Sequence, residues 1–269
     1  MTNVDYQVED SVGLIRLDRP EKLNAFTFEM IGEIRKAADM AAADERVVGI
    51  VVTGAGRAFC EGLDSGDLTR SASGTAPEAQ SANVSDDELP ALFSHLLRIQ
   101  KPVIAAVNGV AAGGGFVLAM MCDLRFAAAG ASFTTAFSKR GLIAEHGTSW
   151  ILPRLVGLNR ALDLLWSARR IDAAEALRIG FVDRVVPNEK LLDDAKAYIR
   201  DLAANVSPRS IAVMKSQVYR HSSLALEPAI RDADRLTHES LAHPDATEGV
   251  KSFVERRPPR FARLKGEKI

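Results

Sequence analysis

The sequence is poor in cysteine, in net charge and in long apolar runs, and each shortage excludes a class of protein. Its 269 residues include two cysteines, Cys60 and Cys122, which cannot form a disulfide framework, so we expect a cytoplasmic location. The 34 Lys and Arg residues almost balance 35 Asp and Glu residues, which predicts no binding to nucleic acid or to an acidic membrane. No apolar run reaches the roughly 18 residues of a membrane-spanning helix, and no signal-peptide pattern is present at the start.

Motifs of nucleotide-dependent and metal-dependent enzymes are also missing. Residues 53–59 begin like a dinucleotide-binding turn, but Phe59 occupies the position of its third glycine. Neither a P-loop lysine motif nor a Gly-x-Ser-x-Gly elbow occurs. The five histidines are scattered, without a second ligand at helical metal spacing, so we expect neither a bound metal nor a nicotinamide cofactor.

The most informative feature that is present is the run of three glycines at residues 113–115. It follows an apolar strand and precedes an apolar segment that is typical of a buried helix. Glycine lowers helix stability, so three glycines at a helix start need a compensating role. Close approach of a ligand to the free N–H groups of the first turn is one such role. A tight strand-to-helix turn packed on a neighbouring element is the structural alternative.

A second glycine-bearing turn, residues 59–64, also follows a predicted strand. The carboxyl ends of parallel strands form the ligand-binding edge of an α/β sheet. Two backbone N–H groups that converge there would form an oxyanion hole, which suits an ester or thioester carbonyl.

The remaining pattern predicts an α/β fold with a helical C-terminal appendage. Residues 6–17 indicate an antiparallel hairpin, and Thr27 is a candidate cap for an amphipathic helix. Four short buried strands then alternate with helices, which favours a parallel sheet; they lie at residues 47–53, 103–107, 124–128 and 181–186. We therefore divide the chain into an α/β core, residues 1–190, and a helical oligomerisation or lid region, residues 191–269.

Three further local predictions concern a loop and helix starts. Residues 70–87 have the composition of a surface loop. Residues 85–88 form a capping box, which predicts a helix that carries Leu92, Phe93 and Leu96. Two more helices are predicted to begin at Ser207 and at Asp245, which follows His243 and Pro244.

Over nearly its whole length the chain resembles the crotonase (enoyl-CoA hydratase/isomerase) superfamily. The motifs that carry the resemblance lie, in order, at residues 19–25, 56–64, 101–109, 113–115, 121–123, 152–157, 173–177 and 180–182. The resemblance implies a spiral of β-β-α units and an acyl-CoA thioester substrate, with no tightly bound cofactor. It also implies a homotrimer or a dimer of trimers.

The resemblance further implies roles for individual residues. The backbone N–H groups of Leu63 and Gly114 would form the oxyanion hole. The other residues that it places at the substrate or along the CoA moiety are Lys22, Leu23, Ala25, Glu61, Asp64 and Gly113.

The chain departs from the family pattern at the two glutamates with which hydratases typically activate water. Val117 and Phe137 occupy those positions, and neither side chain can transfer a proton. Glu145 instead matches the single catalytic carboxylate of certain enoyl-CoA isomerases. Its apolar neighbours favour catalysis over the alternative of a solvated carboxylate in a turn. His146 is predicted to face outward.

These residues favour an enoyl-CoA isomerase in which Glu145 moves a proton between two carbons of a thioester dienolate. Because no water is added, one carboxylate suffices. Two alternatives remain: an enoyl-CoA hydratase or other CoA-thioester hydrolase or lyase that uses Glu145 and a water, and a CoA-thioester binder without turnover.

Overall fold

Two sheets carry the fold in the computed structural model, which describes residues 3–75 and 91–264. The strands are β1 (Val4–Glu9), β2 (Val12–Leu17), β3 (Gly49–Gly54), β4 (Ala58–Cys60), β5 (Val103–Val107), β6 (Val110–Ala112), β7 (Leu124–Ala128), β8 (Ser132–Thr134), β9 (Ile171–Asp172) and β10 (Arg184–Val186). The helices are α1 (Phe28–Ala43), α2 (Ser65–Ala72), α3 (Gly114–Met121), α4 (Thr148–Val156), α5 (Leu158–Ser167), α6 (Ala173–Arg178), α7 (Leu191–Asn205), α8 (Pro208–His221), α9 (Leu226–Leu241) and α10 (Pro244–Glu255).

From β3 to β8, successive strands alternate between the two sheets. The strands β3, β5 and β7 join a six-stranded sheet of order β1-β2-β3-β5-β7-β10, and β4, β6 and β8 join a four-stranded sheet of order β4-β6-β8-β9. Neighbours β3, β5 and β7 are parallel, with Ile50 beside Val103 and Ile104 beside Leu124. The α/β class and the spiral of β-β-α units are confirmed.

The core forms where β-branched and small residues line strands that are covered on both faces. Every residue of β5 is fully buried, as parallel strands between helices require. The N-terminal hairpin and helix α1 are confirmed, and the Thr27 hydroxyl accepts the N–H of Met30 as the predicted cap. Between the sheets and helices, the Phe116 ring stacks on Phe181 with centroids 4.5 Å apart.

The helical C-terminal region is connected to the core through α7. Leu191, Ala195 and Ile199 of α7 are buried in the same cluster as the strands. A β-carbon at Gly49 of β3 would lie 2.3 Å from Ile199 Cδ1, so the helix and the strand are in direct contact. The division of the chain near residue 190 stays a prediction, with α7 packed on the core side.

Beyond α7, helices α8, α9 and α10 leave apolar side chains in solvent. Leu241 is 69% exposed and Phe253 is 84% exposed. The predicted helix start at Ser207 is confirmed, since Ser207 caps α8 through the N–H of Ser210. Helix α10 begins one residue before the predicted Asp245, because His243 caps it through the N–H of Asp245 and Pro244 is its first residue. Among the described helices, none is long and apolar enough to cross a membrane.

Two predicted strands are shorter than their apolar runs. Val47 donates its N–H to the Asp44 carbonyl in a turn that precedes β3. The N–H groups of Phe181 and Val182 both donate to the Ala176 carbonyl, so they close the end of α6 before β10 begins. In both cases backbone N–H groups that would pair with a neighbouring strand form hydrogen bonds within a turn instead.

The prediction of a long helix through Leu92, Phe93 and Leu96 is wrong for the part that the structure describes. A short 3-10 turn spans Ser94–Arg98, and Phe93 has a left-handed backbone with φ of 60°. Phe93 and Leu96 are buried in this conformation, which helical periodicity alone does not predict. The capping box at residues 85–88 lies outside the described residues.

The surface loop predicted for residues 70–87 begins later than expected. The last residues of α2, up to Ala72, occupy its first positions, and residues 76–87 lie outside the described part of the chain.

Candidate functional site

The two glycine-bearing turns meet at one edge of the four-stranded sheet. A β-carbon at Gly62 would lie 2.8 Å from the Ala112 carbonyl oxygen and 3.3 Å from the Gly114 nitrogen. Gly62 has a φ of 99°, a backbone that residues with side chains rarely adopt. Glycine is therefore required here both by conformation and by the approach of the second turn.

Phe26 fixes the relative position of these turns. Its N–H donates to the Gly62 carbonyl and its own carbonyl accepts the N–H of Asp64, at 2.9 Å each. Its ring lies against Gly114, where a β-carbon would come within 2.3 Å of Phe26 Cζ. Phe26 thus contacts the first turn through its backbone and the second turn through its ring.

The N–H groups of Leu63 and Gly114 belong to these two turns, next to the hydrogen bonds and contacts that Phe26 makes. Within the described residues, neither N–H donates a hydrogen bond. Both residues are half-buried, and Gly114 is the first residue of α3, where helical N–H groups have no intrahelical acceptor. The arrangement offers two adjacent backbone donors to a developing negative charge.

Residues 19–25 are held beside this edge by Asn24, which is completely buried in a left-handed conformation. The Asn24 amide donates to the carbonyls of Ala55 and Ala58 at 2.8 Å each, and its oxygen accepts the N–H of Arg19 at 2.9 Å. The Leu23 carbonyl then accepts the N–H of Glu61 at 3.1 Å. The segment with Lys22, Leu23 and Ala25 is therefore tied to the first glycine turn.

The two acidic residues predicted to flank the CoA moiety differ in their contacts. Asp64 caps α2 through the N–H of Gly66 and forms a 3.3 Å ion pair with Arg19. These contacts, first the hydrogen bond from Gly66, lower the pKa of Asp64 below its ordinary value. Asp64 therefore has a structural role at the turn, while Glu61 and Lys22 have exposed side chains.

The two positions that carry glutamate in hydratases are buried and apolar. Val117 is fully buried in α3, where its N–H donates to the Gly113 carbonyl. Phe137 is 5% exposed and belongs to the same apolar core. Neither side chain can transfer a proton.

Glu145 lies on the turn between the short helix at Ser138–Arg140 and α4. It is half-buried, and its carbonyl accepts the N–H of Thr148 at 3.0 Å. The following His146 and Gly147 both have left-handed backbones, with φ of 53° and 74°. A β-carbon at Gly147 would contact Met121 Cε at 3.8 Å, so this turn lies beside the end of α3.

The prediction that His146 faces outward is wrong. Its ring is half-buried, and Nδ1 accepts the N–H of Leu92 at 3.4 Å. Burial lowers the pKa of His146 below its ordinary value, against the opposing effect of the Glu145 charge. A partner distant in sequence determines this orientation.

Sequence reasoning did not assign roles to Phe26, Asn24 or Phe93, which connect the parts of the site. Asn24 and Phe93 have left-handed backbones, which non-glycine residues seldom adopt. Their conformations become known only from the structure. Within the described ranges, no group of three or more His, Cys, Asp or Glu side chains is placed to hold a metal ion.

Comparison with known proteins gives a consistent result over almost the whole chain. A family model for enoyl-CoA hydratase/isomerase matches residues 7–264. A probable enoyl-CoA hydratase of Rhodobacter capsulatus is 36% identical over 258 residues, covering 96% of this chain and 97% of that protein. The 1,2-epoxyphenylacetyl-CoA isomerase of Escherichia coli is 36% identical over 257 residues, covering 94% and 96%.

The fold agrees with this result. A crystal structure of a probable enoyl-CoA hydratase/isomerase from Mycobacterium abscessus matches with a TM-score of 0.87 at 30% identity, covering 98% of this chain and all of that one at 100%. Sequence, fold and the geometry of the two glycine turns thus agree, and the chain belongs to the enoyl-CoA hydratase/isomerase family of the crotonase superfamily.

Proposed function

We propose that this protein is an enoyl-CoA isomerase that moves a double bond along the acyl chain of a CoA thioester. Glu145 takes a proton from C2 of a 3-enoyl-CoA, and the electron pair delocalises onto the thioester oxygen to form a dienolate. The N–H groups of Leu63 and Gly114 stabilise that oxygen. Glu145 then returns the proton at C4, which leaves the double bond between C2 and C3.

The observation that carries this proposal is the pair of buried apolar side chains, Val117 and Phe137, at the positions of the hydratase glutamates. Water addition in that arrangement needs carboxylates that hold and activate a water, whereas a proton shift between two carbons needs one base. Glu145 is the carboxylate that the resemblance aligns with such a base. General acid–base catalysis contributes about 10²- to 10⁴-fold, and each oxyanion donor about 10²- to 10³-fold.

Hydration is the second candidate, because the relatives include probable enoyl-CoA hydratases such as that of Rhodobacter capsulatus. In that reaction Glu145 would activate a water that adds to C3 of a 2-enoyl-CoA. An isomerase name also occurs among relatives of equal identity, for the Escherichia coli protein, so the names alone favour neither reaction.

A panel of CoA thioesters separates these reactions. The wild-type protein is incubated with 3-enoyl-CoA and 2-enoyl-CoA substrates of several chain lengths, and the products are identified by mass spectrometry and NMR. Isomerisation gives a product of unchanged mass with a shifted double bond, hydration adds the mass of one water, and hydrolysis releases CoA. Hydration without isomerisation, or binding without any product, would overturn the proposal.

We also propose that the CoA moiety lies along Lys22, Leu23 and Ala25, near Glu61, Asp64 and Gly113. The backbone contacts between residues 19–25 and the first glycine turn support this placement. Calorimetry with acetoacetyl-CoA and with NADH tests it. Binding of NADH without binding of the CoA thioester would contradict the proposed ligand class.

The exposed apolar side chains of α8 to α10 support a homotrimer or a dimer of trimers. Leu241, Val250 and Phe253 are each more than two-thirds in solvent in a single chain, at 69%, 67% and 84% exposure. A second subunit would cover such residues. A folded, active monomer in analytical ultracentrifugation would contradict this assembly. A cytoplasmic location stays a prediction.

A further inference from the structure

Residues 91–98 contact both halves of the site. On one side, the ring of Phe93 meets Phe26 edge to face, with centroids 5.4 Å apart, and Phe26 packs against Gly114. On the other side, the N–H of Leu92 donates to Nδ1 of His146, the residue that follows Glu145. This segment, here called the brace, therefore connects the oxyanion turns with the turn that bears Glu145.

The brace is anchored firmly at its far end. Nζ of Lys215, from α8, donates to the carbonyls of Leu96 and Lys101 at 3.0 Å and 3.1 Å. The same ammonium forms a 2.7 Å ion pair with Asp123 at the start of β7. Because Leu96 is fully buried, the brace is fixed on the core. It can therefore hold the more exposed turn that bears Glu145 in place.

The turn that bears Glu145 has few other means of fixation. Gly141 and Gly147 have left-handed backbones, and Leu142 and Ile143 are 40% and 80% exposed. His146 itself adopts φ of 53°, a conformation that is unfavourable for a residue with a full side chain. A strained backbone conformation of this kind persists only where the surrounding contacts hold the residue in it.

The ring is suited to this contact in its neutral form. Nδ1 can accept a hydrogen bond only while it carries no proton, which places the proton of the neutral ring on Nε2. Burial lowers the pKa of His146 and so favours the neutral ring at pH 7.

We propose that His146 is a positioning residue for Glu145: by accepting the Leu92 N–H it fixes the Glu145 turn to the brace and sets the carboxylate relative to the oxyanion hole. The proposal rests on the function of Glu145 proposed above. Small displacements of a catalytic group lower the rate strongly, since an error of about 1 Å can cost 10²-fold. Binding of the CoA moiety does not depend on this contact.

A matched pair of variants tests the proposal. His146→Asn and His146→Gly both tolerate the left-handed backbone, but only asparagine supplies an acceptor oxygen at the position of Nδ1. On a 3-enoyl-CoA substrate we expect His146→Gly to lower kcat about 10- to 100-fold with KM within about twofold of wild type. His146→Asn should restore kcat to within about threefold.

The ring state is measured independently by ¹⁵N NMR of the wild-type protein. The signature expected at pH 7 is that of a neutral imidazole protonated on Nε2. A ring protonated on Nδ1 could not accept the Leu92 N–H and would overturn the proposal.

Two kinetic results would also overturn it. One is equal kcat for both variants, whether equal to wild type or equally reduced. The other is a loss in His146→Gly that appears in KM instead of kcat.

The Glu145→Gln background separates this proposal from the function on which it rests. If Glu145 is the base, the single variant loses turnover, and adding His146→Gly causes less than about a twofold further loss. Full activity of Glu145→Gln would refute the proposed function itself. An inactive Glu145→Gln beside a fully active His146→Gly would refute only the role of His146.

Discussion

The two halves of the site are built in different ways. In the oxyanion half, the proposed functional groups are backbone N–H groups in packed turns, and neighbouring atoms leave no space for side chains at Gly62, Gly114 or Gly115. In the base half, the proposed functional group is one side chain, that of Glu145, on a partly exposed turn, and positive φ angles shape that turn at Gly141, His146 and Gly147. The backbone N–H groups of the first half are therefore placed by the packing of the core. The position of the Glu145 side chain in the second half depends on a few contacts.

This difference predicts different consequences of mutation. Changes in the oxyanion half should lower stability and activity together, because the same backbone forms the core and the donors. Changes in the base half should lower activity with little loss of stability.

Gly115→Ala should cause the largest loss of stability. The added β-carbon would lie 2.1 Å from the Cys60 carbonyl oxygen and 2.8 Å from Cys60 Cβ, so the two turns must separate. We expect a loss of about 3 kcal/mol or more in the free energy of unfolding, measured by urea denaturation.

Gly66→Ala is the control for this variant. Its β-carbon would meet Asp64 Oδ1 at 3.4 Å, an ordinary contact. The free energy of unfolding should therefore change by no more than about 1 kcal/mol. Equal stability of the two variants would show that the oxyanion turns are not tightly packed.

Gly114→Ala should lower kcat/KM about 10²-fold, since its β-carbon would displace the Phe26 ring that fixes both turns. The double variant Gly114→Ala with Phe26→Leu gives room at the same place. It should recover about tenfold of the loss if the collision with the ring is the cause. Steady-state kinetics on a 3-enoyl-CoA measure both. If kcat/KM of the double variant does not recover, the loss in Gly114→Ala comes from a change in the backbone of residue 114 and not from the Phe26 ring.

The smallest expected effect is the pH dependence of stability that His146 contributes. Its folded pKa lies below the unfolded value, because burial disfavours the charged ring, while the nearby Glu145 partly opposes this. The stabilising contribution is therefore present above the unfolded pKa of about 6.5 and is lost as the pH falls through the folded pKa.

Thermal unfolding at pH 7.5 and pH 5.5 measures this contribution. The wild type should lose more Tm on acidification than His146→Asn does. The difference should be a few degrees or less, because His146 is a single half-buried group. Identical shifts in the two proteins would show that His146 does not titrate with folding.

Sequence patterns predicted most of the secondary-structure elements and the two glycine-bearing turns, for physical reasons. Strand β5 is a continuous apolar run, and the glycines at 113–115 stand out in any reading of the chain. Local chemistry also defines the caps at Thr27 and Ser207. Such features depend on residues a few positions apart, which a sequence displays directly.

The connections between the halves could not be predicted in the same way. The apolar spacing of Leu92, Phe93 and Leu96 is typical of a helix, but Phe93 packs against Phe26 and Lys215 holds the Leu96 carbonyl. The orientation of His146 depends on Leu92, which is 54 positions away. In this region long-range contacts determine the backbone conformation in place of the helical periodicity. The same contacts connect the two halves of the site.

The rate of double-bond migration by Glu145→Gln decides whether Glu145 transfers the proton. Migration is followed as a 3-enoyl-CoA becomes conjugated with its thioester, and affinity is measured with acetoacetyl-CoA. We expect kcat to fall about 10²-fold or more, because the amide cannot take up and return the proton, with the dissociation constant unchanged within about twofold. Wild-type kcat in a folded Glu145→Gln protein would contradict the account and place the base elsewhere.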